Sequence, residues 1–82
     1  MNDWQQRKRP FRLERRYEFE SYELTRDFLD RLGTKCEELN RFPDISFGKK
    51  YVNITLRPEK EEEIISPEDF AFAKEIDQIS KP

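Results

Sequence analysis

The chain has 82 residues, 41% of them charged, with a formal net charge of −2. That length makes one domain, 1–82, near the lower end of what folds without staples, so self-association is expected from size alone. With no histidine and a single cysteine, Cys36, the chain builds neither an internal disulfide nor a Cys/His zinc site, and it lacks the usual near-neutral general base.

The mean hydropathy of −1.09 points towards disorder, but 13% of the residues are aromatic, which a disordered segment rarely carries. A folded domain with a charged surface reconciles the two. Residues 1–10 give the weakest signal: Trp4 is able to anchor a short strand ending in a turn over residues 7–10, and a frayed tail is the alternative. From Phe11 the pattern sharpens. Phe11, Leu13, Tyr17 and Phe19 fall on one face of an extended chain, with Arg12, Glu14, Arg16 and Glu18 on the other, the period of a half-buried strand. Arg15 breaks the alternation by falling on the apolar face. Either its stem packs there while the guanidinium reaches an edge or a carboxylate, or it binds a partner.

Ser21 is placed to cap a helix. Leu24, Phe28, Leu32, Cys36 and Leu39 recur at three- and four-residue steps, with Leu29 at the edge, which predicts an amphipathic helix of about five turns. Gly33 interrupts it at a cost of about 1 kcal/mol relative to alanine; a close approach to the sheet or to a partner would explain it. Cys36 on the stripe reads as core packing, not nucleophile. Pro43 disfavours helical geometry at Phe42 and fixes the exit. Ile45 and Phe47 predict a short strand, Gly48-Lys49-Lys50 a turn, and Val52, Ile54 and Leu56 the core face of a returning strand that Pro58 ends.

Glu59 to Glu63 reads as a solvated loop. Ser66 is then the N-cap of a last helix, with Pro67 in the first position, Glu68 and Asp69 in the first turn, and Ile65 and Phe70 spaced as a hydrophobic staple. Phe72, Ala73, Ile76 and Ile79 supply its buried stripe. The order predicts an α+β fold, an antiparallel sheet with both helices on one face and the other face open.

The chemistry is sparse. There is no glycine-rich phosphate loop, since Gly33 and Gly48 are far apart, and the glutamates that remain for acid/base work, Glu37, Glu38 and Glu59 with its neighbours, read as exposed. The basic first strand beside aromatics matches the footprint of a nucleic-acid binder, but a solvated charged face is the better reading of a slightly acidic chain. No apolar run approaches the roughly 20 residues of a membrane span, and Met-Asn-Asp-Trp-Gln-Gln has no signal-peptide core. The expectation is a cytoplasmic protein that uses neither membrane nor nucleic acid, metal nor cofactor.

Four stretches carry a resemblance to a known family. The run Leu13-Glu14-Arg15-Arg16-Tyr17-Glu18-Phe19, followed by Tyr22 and Phe28, resembles the "L-x-R-x-f-x-F" strand and following helix of the pterin-4a-carbinolamine dehydratases. Glu37-Glu38-Leu39-Asn40-Arg41-Phe42-Pro43 is similar to their "A-E-x-x-N-H-H-P", Tyr51-Val52-Asn53-Ile54-Thr55-Leu56 to their "x-V-x-V-x-L", and Ile65-Ser66-Pro67-Glu68-Asp69-Phe70-Ala71-Phe72-Ala73 to their "L-T-x-x-D-x-x-L-A". The match runs over nearly the whole chain beyond about residue 10, with one extra residue in the acidic loop. It implies a four-stranded antiparallel sheet with helices on one face, and a dimer or a dimer of dimers.

The departures decide the function that the resemblance implies. The family's adjacent histidines fall on Arg41 and Phe42, and its later Thr-His on Pro58 and Glu59. Arginine exchanges no proton near neutral pH and phenylalanine has none to exchange. The chain resembles a histidine-lacking branch associated with alpha-carboxysomes, which assists Rubisco assembly as a chaperone. On this resemblance the chain is no enzyme, the former pterin-pocket positions are Arg41, Phe42, Pro43 and Glu59, and Rubisco subunits meet Arg15, Arg41, Phe42, Arg57 and Glu59. Against that, Phe42 packs in the core and Arg41 pairs with Glu37 or Glu38. The alternatives of another class are a residual dehydratase using Glu59, and a coactivator or nucleic-acid-associated module.

Overall fold

A computed structural model describes residues 3–9, 11–58 and 65–81. The element order is β1 (Gln5–Arg7), β2 (Arg12–Glu18), α1 (Tyr22–Leu39), β3 (Asp44–Phe47), β4 (Tyr51–Leu56) and α2 (Pro67–Ile79). The strands form one antiparallel sheet in the order β1-β2-β4-β3. Helix α1 carries the chain from β2 to the far edge, and the β3–β4 hairpin returns it to the centre. The acidic stretch that includes Glu59 lies outside the described residues.

Alternation decides which face of the sheet is covered. Leu13 and Tyr17 of β2 and Val52, Ile54 and Leu56 of β4 are buried against Phe28, Leu32, Cys36, Phe72, Ala73 and Ile76 of the helices. Both helices therefore lie on one face, as the pattern predicts. Glu14 sits opposite Thr55 on the other face, which is polar. There Arg7 and Arg12 both reach Glu14, and the Arg16 guanidinium stacks 4.1 Å from the Tyr51 ring. Trp4 is buried just before β1 and stands edge-on to Tyr17.

Both helices begin where the sequence places them. The Ser21 hydroxyl accepts the Leu24 N–H at 3.1 Å, and Ser66 and Asp69 form a reciprocal capping box with Pro67 inside the first turn, satisfying donors that a helix start otherwise leaves orphaned. Helix α1 ends at Asn40 in the left-handed region, φ 54°, a conformation asparagine tolerates better than most. The next N–H, of Arg41, donates to the Cys36 carbonyl at 3.0 Å.

Two expectations need correction, on the ends of the α1 stripe and on Gly33. Leu24 and Leu39 lie on the apolar stripe of α1 yet are exposed, while Thr25 is buried. They sit in the first and last turns, and the buried residues of α1 span only the turns between, from Thr25 to Cys36. The short strand expected at Ile45 and Phe47 is β3; the two residues share the covered face with Ile54 and Val52, and because β3 is an edge strand its four residues are exposed. Gly33 makes no close approach to the sheet: a Cβ built there would meet nothing within 4 Å. Its replacement by alanine is therefore expected to raise the stability of this chain by about 0.5–1 kcal/mol, through helix propensity alone. Chemical denaturation measures it, and a loss of stability or a change in oligomeric state would place Gly33 in a contact between chains.

Candidate functional site

The exit of α1 and the end of β4 enclose a cleft of about 430 Å³, bounded by residues 40–44 on one side and 55–58 on the other. Asn40 starts the turn, Pro43 disfavours helical geometry at Phe42, and Pro58 lines the far side. The cleft thus brings together Arg41, Phe42, Pro43 and Arg57.

Arg41 points inwards. Its Nη1 lies 2.7 Å from Asp69 Oδ1, its Nη2 donates to the Arg57 carbonyl at 3.1 Å, and its guanidinium lies 5.4 Å from the centre of the Phe72 ring. The two side chains are 15% and 4% exposed. The expected pairing with Glu37 or Glu38 is not the one formed; Glu38 pairs with Lys35, which also reaches Glu75 of α2. Arg57 Nε donates to Asp44 Oδ2 at 2.7 Å, in an exposed pair. Phe42, by contrast, is 69% exposed, so it does not pack in the core. Leu39, one turn earlier, is exposed beside the same exit.

Arg15 is elsewhere. Its Nη1 reaches Asp77 Oδ1 of α2 at 2.6 Å, and the same oxygen accepts Trp4 Nε1 at 2.9 Å and the Tyr17 hydroxyl. Burial first, and the Asp77 carboxylate second, push the Tyr17 phenol well above its ordinary range. This cluster ties β2 and the segment before β1 to α2. Of the two readings of Arg15, the geometry matches the guanidinium reaching a carboxylate: it lies 4.1 Å from the centre of the Tyr17 ring and meets Asp77.

Sequence reasoning missed Asp69 and Asp77 as partners. Asp69 was legible only as a favourable first-turn acid. Asp77 had a signal of its own, being an acid flanking the apolar stripe of α2, as Arg15 is a base on the apolar face of β2. Two charges out of pattern on facing surfaces point at one another.

The chemistry available follows directly. Arg41 and Arg57 supply hydrogen-bond donors and no acceptor, and the chain has no histidine. Among the described residues no group of three or more His, Cys, Asp or Glu is placed to hold a metal ion, and no helix is long and apolar enough to cross a membrane. Cys36 is buried, and burial pushes its thiol up and away from reactivity.

The fold is thus a four-stranded antiparallel sheet with both helices on one face, and its cleft lies between the exit of the long helix and the end of the central strand β4. A family model described as pterin 4 alpha carbinolamine dehydratase matches residues 1–79, and the chain belongs to that family. A Rubrobacter xylanophilus protein named as a pterin-4-alpha-carbinolamine dehydratase is 34% identical over 67 residues, 82% of this chain; the chain spans 62% of that relative's length. Among solved structures, a pterin dehydratase-like protein identified as a RuBisCO assembly factor in the alpha-carboxysome superposes with a TM-score of 0.89 at 36% identity, covering 98% of this chain and 92% of the other. The transcriptional coactivator/pterin dehydratase of Brucella melitensis superposes with a TM-score of 0.86 at 19% identity, over 98% of this chain and 84% of the other. At that identity the likeness is one of fold alone.

Proposed function

We propose that this chain is a non-catalytic Rubisco assembly factor of the alpha-carboxysome kind, which meets Rubisco subunits with the rim of the cleft at the exit of α1. The observation that carries the reading is the cleft itself. In a dehydratase-family fold without a single histidine, it holds an inward-tied arginine and an outward-facing phenylalanine. The likeness to an assembly factor along 98% of the chain supports the same conclusion. The protein works in the cytoplasm, in association with the carboxysome, as a homodimer. The exposed Ile45 and Phe47 of edge strand β3 are the apolar groups that a second copy covers.

Phe42 is the anchor of the partner surface. Aromatic side chains that enter a desolvated pocket carry a disproportionate share of binding energy, about 2 kcal/mol or more. Phe42→Ala is expected to weaken binding to purified Rubisco about 30-fold, while the melting of the free protein stays within about 0.5 kcal/mol of the original, because an exposed side chain supports little packing. Titration calorimetry and a thermal scan read the two effects separately. Equal affinities would remove the cleft rim from the interface.

A further inference from the structure

Arg41 and Phe42 are adjacent in sequence and opposite in environment. Asp69, which Arg41 meets, is 4% exposed, and its second oxygen accepts the Ser66 N–H at 2.8 Å. The other arm of Arg41 is held by the Arg57 carbonyl at the end of β4. One guanidinium therefore fastens the exit of α1, the end of β4 and the first turn of α2, and the turn that it fixes carries Phe42 into solvent. The second guanidinium of the cleft, on Arg57, is matched by Asp44. Both of these cations already face a carboxylate of their own chain.

We infer that Arg41 is a positioning residue and not a contact: it braces residues 40–44 so that Phe42 is presented in a fixed direction, and the partner offers that rim an apolar group, not an anion. The inference rests on the assembly-factor reading for its partner and on the geometry alone for its brace. A preorganised anchor binds more tightly because less freedom is lost on association. A brace acts without altering the number of ions released on binding, whereas an arginine that touches a partner's anion does alter it.

Arg41→Gln and Arg41→Lys test this by two measurements. Amide hydrogen exchange of the free protein reads the brace, and affinity for purified Rubisco across a salt series reads the contact. Arg41→Gln is expected to speed exchange over residues 40–44 about tenfold beyond the loss of protection that its lowered global stability brings to β2 and β4. It should weaken binding about tenfold with an unchanged dependence on salt. Arg41→Lys keeps a cation for Asp69 but not the two-armed guanidinium, and is expected to recover only part of both. A shallower salt dependence in Arg41→Gln would overturn the inference by making Arg41 a direct ionic contact, and exchange over residues 40–44 that rises no more than in β2 and β4 would overturn the brace. If the unaltered protein does not bind Rubisco, the assembly reading falls and takes the partner half with it, while exchange still decides the brace.

Discussion

Asp69→Ala is expected to destabilise the fold by about 3–4 kcal/mol, close to what removal of one member of a buried ion pair costs. The carboxylate is nearly inaccessible and has two duties. One oxygen lies against the Arg41 guanidinium, itself largely buried, and the other completes the capping box with Ser66. Its removal leaves a cation facing the Phe72 ring without a counter-charge, and an N-cap N–H without its acceptor, for which about 1 kcal/mol is typical. Against a total stability of about 5–15 kcal/mol for a domain, that is a large fraction. Urea denaturation measures it. Asp69→Asn retains an acceptor for Ser66 but not the charge, and should recover only the smaller capping share. A loss below about 1 kcal/mol for Asp69→Ala would mean that the ion pair contributes nothing beyond the cap.

Asp77→Ala is expected to cost about 3 kcal/mol by a different route. One carboxylate oxygen accepts from Trp4, Arg15 and Tyr17, and donors left without a partner cost about 1–3 kcal/mol each when they cannot reach water. Asp77 and Arg15 are 29% and 20% exposed, so water relieves part of the loss and the full sum is not reached. Because Trp4 is one of the three donors, its fluorescence reports release of the segment before β1 as the denaturant midpoint falls. A lowered midpoint with an unchanged Trp4 spectrum would show that the indole does not depend on this carboxylate for its place.

The same cluster sets a pH dependence. Burial first, then the Asp77 carboxylate, holds the Tyr17 phenol neutral in the folded state beyond its usual range. The unfolded chain releases that proton near pH 10. The contribution to stability is therefore complete below about pH 10 and falls as the pH rises beyond it, where the unfolded state binds fewer protons than the folded one.

Much of this architecture was legible in the residues, because period and capping are local. The alternation of Leu13 with Tyr17 and of Val52, Ile54 and Leu56 names the covered face of β2 and β4, and Ser21, Ser66 and Pro67 mark both helix starts. What the residues did not disclose is where coverage stops. Leu24, Leu39, Ile45 and Phe47 have the right periodicity and remain exposed, because whether an end turn or an edge strand is buried depends on what is packed beside it. The candidate site was legible as positions and not as directions. Arg41, Phe42, Pro43 and Arg57 do meet in one cleft, whereas Arg15 belongs to the Asp77 cluster. That Arg41 turns inward follows from Asp69, a residue remote in sequence that joins it only through the docking of α2.

The most direct measurement is co-expression of alpha-carboxysome Rubisco subunits with and without this chain, scoring soluble assembled enzyme. A non-catalytic assembly factor working through the cleft rim raises that yield, and Phe42→Ala, still folded, returns it to the level of the subunits alone. Equal yields with and without the unaltered chain would contradict the proposed function.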